Sequence, residues 1–138
     1  MRWEDGCYDV VILEQDEQLR VHWQDALETQ GLKVIADDNA KDLVDQMSSR
    51  SFSLLVLDAE LPGANVNWLA HLFMALSPSA RIVLTARHVH PYGWLRKADL
   101  PVLVTLQKPL DVNELVRIVR TVLPADGRCG ASSREAFC

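Results

Sequence analysis

Five short runs of apolar, mostly β-branched residues recur along the chain, at 10–13, 34–36, 54–57, 82–84 and 102–106. Four of them show little alternation of apolar and polar positions, so their side chains are apolar on both faces. That pattern predicts strands sandwiched between helices in a parallel sheet. Helical spacing fills most of the intervals. Leu19, Trp23, Ala26 and Leu27 fall on one stripe, and Gly31 supplies a stop. Asn39 is placed to cap the next helix, with Asp42 at its third position and Leu43 and Met47 facing inward. Leu69, Leu72, Phe73 and Leu76 form a third stripe, ended by Ser77-Pro78. Asp111 and Glu114 make a capping-box-like start for a last helix, which carries Leu115, Ile118, Val119 and Val122 and stops before Pro124. The interval 87–99 holds Pro91 and Gly93, so a helix there is expected to be short or broken.

The order is therefore strand–helix repeated five times. Right-handed crossovers turn that order into an open, doubly wound α/β sheet with helices on both faces. Ligands of such sheets bind beyond the carboxyl ends of the strands, where the strand order reverses. Chain length agrees: 138 residues suit one domain, expected over 1–123, with 124–138 as a linker or disordered tail lacking periodicity.

Charge and composition narrow the function classes. The formal net charge of −5 disfavours direct binding to nucleic acid. No apolar run has the length of a membrane span, and Glu4, Asp5 and Asp9 stand where a signal peptide would need a basic start. Cys7, Cys129 and Cys138 are odd in number and lack metal or redox spacing, so reduced thiols in a cytoplasmic protein are expected, with Cys129–Cys138 pairing as the alternative.

The predicted strand ends collect the reactive side chains. Strand one ends in Glu14, Gln15, Asp16 and Glu17. Strand three ends in Asp58, followed by Glu60, Leu61, Pro62 and Gly63. Strand four ends in Thr85-Ala86, and strand five runs out at Lys108-Pro109. An aspartate can attack phosphorus to form an acyl phosphate. The transferred group needs help from a hard divalent cation and a lysine, and a hydroxyl can bond the new phosphoryl oxygen.

Through these residues the sequence resembles the receiver domain of two-component response regulators, over about residues 8–123. The resemblance implies a flavodoxin-like (βα)5 fold with sheet order 2-1-3-4-5. It implies that Asp58 is the phosphoacceptor, Thr85 the switch hydroxyl and Lys108 the phosphate-pairing lysine. Glu14, Gln15, Asp58 and the Glu60 carbonyl would form a Mg²⁺ pocket. The Lys108–Pro109 bond would be cis. The implied partners are a histidine kinase or phosphotransfer protein upstream, and a protein partner or an output domain outside this chain downstream. Such a domain assists its own phosphorylation but is not a dedicated enzyme.

Three departures alter the picture. Gln15 stands where the family usually has a second acid, and losing one charge at 4 Å removes about 4 kcal/mol of gross attraction for each unit of charge it faces. Asp16 would need a bulge to turn inward and replace it. Thr105 takes the place of the usual aromatic residue, and Val66 that of a glycine. The chain therefore reads as a signalling receiver phosphorylated on Asp58 with a weakened hold on Mg²⁺, or as a phosphorylation-independent pseudo-receiver that binds proteins. A flavodoxin-like cleft for an unrelated ligand is the third reading, and no glycine-rich loop supports it. His88 and His90 are expected to be solvated rather than to bind metal, and His22 and His71 to face solvent or a helix edge. Trp23 and Trp68 fit helix stripes or their edges, and Trp94 falls in the irregular interval. Val116 and Leu123 widen the apolar face of the last helix enough to permit a homodimer.

Overall fold

A computed structural model describes residues 7–63, 65–88 and 100–123. Among the described residues the elements follow in the order β1 (Cys7–Leu13), α1 (Glu17–Thr29), β2 (Val34–Asp37), α2 (Ala40–Met47), β3 (Ser51–Asp58), α3 (Val66–Leu76), β4 (Arg81–Ala86), β5 (Val102–Gln107) and α4 (Val112–Val122). The strands form one parallel sheet in the order β2-β1-β3-β4-β5. This is the expected topology, and the order reverses between β1 and β3. Residues 89–99, where most of the expected short or broken helix would fall, with His90 and Trp94, and the tail with Cys129 and Cys138 lie outside the described residues. Cys7 is disulfide-bonded, which overturns the expectation of reduced thiols at that residue.

The absence of alternation in the strands has a direct cause. Successive side chains point to opposite faces, and both faces are covered. Val11, Leu13, Leu55, Leu57, Ile82 and Leu84 pack against Leu43 and Met47 of α2 and Leu69 and Phe73 of α3. Val10, Ile12, Leu54, Val56 and Val83 pack against Trp23 and Leu27 of α1 and Leu115 and Val119 of α4. Each such side chain, fully buried, contributes roughly 1.5–3 kcal/mol, which holds the strand ends in register. Trp23 lies fully within the stripe of α1, whereas Trp68 is 61% exposed at the edge of α3.

Local chemistry fixes where the helices start. Asp16, Asn39, Asn65 and Asp111 each accept a backbone N–H from the first turn that follows. Asp16 is thus committed to Leu19 N at 3.1 Å and does not turn into the cleft. At α4 the cap reaches Asn113, while Glu114 faces Arg117 at 3.9 Å rather than completing a box. Val66 sits buried in the first turn of α3, and the positive φ that the loop needs falls on Gly63, at 67°.

One buried hydroxyl joins helix to sheet. Pairing of β3 with β4 begins only at Leu54, and Ser77 serves the backbone of Phe52 instead. Its Oγ donates to the Phe52 carbonyl at 2.6 Å and accepts from the Phe52 N–H at 3.1 Å. Ser77→Ala leaves both groups buried without partners. It should lower unfolding free energy by about 1–3 kcal/mol, read as a reduced urea midpoint with unchanged slope.

Candidate functional site

The carboxyl ends of β1, β3, β4 and β5 bring Glu14, Asp58, Thr85 and Lys108 together. Asp58 and Thr85 are register partners on adjacent parallel strands. Lys108 follows β5, and its backbone N–H bonds the Ala86 carbonyl at 2.9 Å. The Lys108–Pro109 peptide is cis, as expected. All four side chains are buried, Lys108 retaining 7% exposure and the others none.

Lys108 organises the charges. Its Nζ lies 2.8 Å from Glu14 Oε1 and 3.3 Å from Asp58 Oδ1. The first contact is a short buried ion pair. Glu14 Oε2 accepts the Asp16 N–H at 3.0 Å, and the Glu14 carbonyl accepts Arg20 Nη1 at 3.0 Å. Asp58 Oδ1 also accepts the Glu60 N–H at 2.9 Å. That leaves Asp58 Oδ2 and Thr85 Oγ1, both buried, without a hydrogen-bond partner among the described residues. An orphaned carboxylate oxygen beside a hydroxyl and an ammonium is chemically primed to take a group that brings acceptor oxygens of its own.

Gln15 is exposed at the rim, and its Nε2 donates to the Glu60 carbonyl at 3.4 Å. The Glu60 side chain, which the sequence reading did not single out, accepts the Arg87 N–H at 2.8 Å and the His88 N–H at 3.1 Å. Gln107, also missed, donates from Nε2 to the Arg87 carbonyl at 3.3 Å. Its place beside Lys108 at a strand end was the available signal. His88 is exposed, and among the described residues no group of three or more His, Cys, Asp or Glu is arranged to hold a metal.

The donor set suits a hard divalent cation only weakly. Asp58 Oδ2 is the kind of orphaned oxygen such an ion satisfies. Glu14, however, already faces Lys108, and Gln15 brings no charge. A concavity of about 410 Å³ on the rim is lined by Gln15, Leu61, Pro62 and Gly63 but does not reach Asp58. A groove of about 490 Å³ between α2 and α3, beside Trp68, lies apart from the buried acids.

Burial pushes the Glu14 carboxyl above its ordinary value, and the Asp58 charge adds to this, against the lowering pull of Lys108 and the Asp16 amide. For Glu60, desolvation works upward, but the Arg87 and His88 amides and the nearby cations outweigh it and hold the group below its ordinary value. The folded form therefore keeps the Glu14 proton at pH values where the unfolded chain has released it. The stability contributed by Glu14 falls as pH rises from the ordinary carboxylate range through the raised value. Glu14→Gln removes that fall. The variant's urea midpoint should gain on the wild type as pH rises above the ordinary carboxylate range, and a constant difference as pH rises would contradict the assignment.

No family model matches the chain. It is 29% identical over 119 residues to the uncharacterized transcriptional regulatory protein YkoG of Bacillus subtilis (strain 168), an overlap of 86% of this chain and 52% of that protein. The chain thus spans about half the length of that relative. A CheY-like response regulator receiver domain protein from Methanospirillum hungatei JF-1 superposes with a TM-score of 0.73 at 14% identity, over 96% of this chain and 99% of that one. The response regulator protein TrrA from Thermotoga maritima, solved in complex with Mg²⁺ and BeF, superposes with a TM-score of 0.69 at 19% identity, over 84% and 99%. The fold of this chain is that of response regulator receiver domains.

Proposed function

We propose that this chain is a two-component receiver module that accepts a phosphoryl group on Asp58 and signals through protein contacts. The observation that carries the reading is the buried set of Asp58 Oδ2, Thr85 Oγ1 and Lys108 Nζ. The first two have no hydrogen-bond partner among the described residues, and the third holds the other Asp58 oxygen in place. In the transfer, a bond forms between an Asp58 oxygen and phosphorus. The phosphorus–nitrogen bond of a phosphohistidine donor breaks, and the leaving imidazole takes up a proton from solvent. Oδ2 is the attacking oxygen, because Oδ1 is occupied by Lys108 and the Glu60 N–H. Lys108 and Thr85 then meet the oxygens of the new phosphoryl group.

A hard divalent cation would be held by Asp58 and Glu14, with Gln15 and the Glu60 carbonyl as neutral oxygens, and would supply neutralisation of phosphoryl charge. The donor would be a histidine kinase or phosphotransfer protein. Output would pass to a protein partner, a second copy of the chain or a domain beyond it. The receiver unit spans 1–123, and 124–138 serves as the link. The module assists its own phosphorylation and is not a dedicated enzyme. Among the described residues no helix is long and apolar enough to cross a membrane. A cytoplasmic place follows from a kinase donor that draws on ATP.

Incubation with acetyl phosphate should add one phosphoryl group to the wild type and none to Asp58→Asn, read by intact mass. No adduct on the wild type at high donor and cation concentration would leave the pseudo-receiver reading in its place. Gln15→Asp restores a charge at the rim. It should tighten Mg²⁺ binding at least about tenfold by calorimetry, a modest part of the gross Coulomb gain after screening. An unchanged affinity would remove Gln15 from the cation site.

A further inference from the structure

The groups that the proposed chemistry needs lie below the surface. Asp58, Glu14 and Thr85 are fully buried, and Asp58 Oδ2 is closed to solvent. A nucleophile must come within about 3–3.5 Å of the atom it attacks, so this oxygen cannot meet a donor as it stands.

What lies above is a belt of bonds across the four strand ends. Gln15, after β1, donates to the Glu60 carbonyl. The Glu60 carboxylate, after β3, accepts from Arg87 and His88, both after β4. The Arg87 carbonyl accepts from Gln107, the last residue of β5. Gln15, Arg87, His88 and Gln107 are exposed and Glu60 half-exposed, whereas the acids, hydroxyl and ammonium beneath are buried. The members differ in strength. The two amide-to-carbonyl bonds are long, at 3.4 and 3.3 Å, and neutral. The Glu60 bonds are charge-assisted and two in number, at 2.8 and 3.1 Å. Water competes for an exposed carboxylate, so these bonds are reversible.

We propose that the Glu60 carboxylate is a clasp that holds Arg87 and His88 over Asp58, and that reagents reach Asp58 only when the clasp releases them. The functional consequence rests on Asp58 being the phosphoacceptor, but the clasp can be tested without phosphate. The Glu60 side chain has no bond to Asp58, Thr85 or Lys108 and acts as a positioning group.

Two measurements on the full chain decide it: amide hydrogen exchange at Arg87 and His88, and the rate at which a carbodiimide with an amine modifies Asp58, mapped by mass spectrometry. Glu60→Ala should speed exchange at both amides at least tenfold and speed Asp58 modification by a similar factor. Glu60→Gln retains one acceptor oxygen and should fall between wild type and Glu60→Ala in both, which a general loss of stability would not produce. Unchanged exchange, or faster exchange with Asp58 no more reactive, would overturn the clasp. If Glu60→Ala exposes Asp58 to carbodiimide and acetyl phosphate still gives no adduct, the clasp stands and the phosphoacceptor reading falls.

Discussion

One ammonium shared between two buried carboxylates is the constraint on which the cleft depends. Lys108 Nζ sits 2.8 Å from Glu14 and 3.3 Å from Asp58, and none of the three side chains is more than marginally exposed. Such a set gives little net stability, because desolvating three charges offsets much of their attraction. Removing the lysine, by contrast, would strand two like charges in a poorly solvated space. The strand ends must therefore be held by other means, and the apolar packing on both faces of the sheet provides them. Packing stabilises the site, and the ion triad gives the site its direction: it occupies one Asp58 oxygen and leaves the other free.

Strand geometry explains why Gln15 cannot be compensated from within the same segment. Glu14 points inward at the end of β1, so the next residue points outward, and Gln15 is exposed. Asp16 is then taken by the helix it caps. The second acid that a strong cation pocket would require has no place left in this register. Lys108 thus carries a larger share of the cleft's positive charge than it would beside a tightly held divalent ion.

The strands and the acidic cleft were legible in the sequence because both rest on short-range patterns, whereas the sheet order came from the family resemblance. Apolar runs such as 54–57 announce a strand covered on both faces, and Asp58, Thr85 and Lys108 each stand directly at a strand end. The side-chain bonds of Glu60, Gln107 and Ser77 were not legible. Each joins residues far apart in the chain: Glu60 with Arg87 and His88, Gln107 with Arg87, Ser77 with Phe52. Nothing in their local sequence distinguishes them from solvated polar residues. Glu60 entered the sequence reading for its carbonyl alone, since a carboxylate facing two consecutive backbone N–H groups is visible only once the loops are in place.

Glu60 links the two layers of the site because each of its polar groups is bound to a different neighbour. Its N–H holds Asp58 Oδ1 at 2.9 Å, its carbonyl accepts Gln15, and its carboxylate accepts Arg87 and His88. A rigid peptide connects the first of these to the second. Any group added to Asp58 acts on the Glu60 N–H, and through that backbone on the bonds that span the strand ends. The buried triad and the exposed belt are therefore mechanically one unit. A chemical event at a fully buried oxygen then has a short physical route to the surface, through a residue whose side chain takes no part in the chemistry.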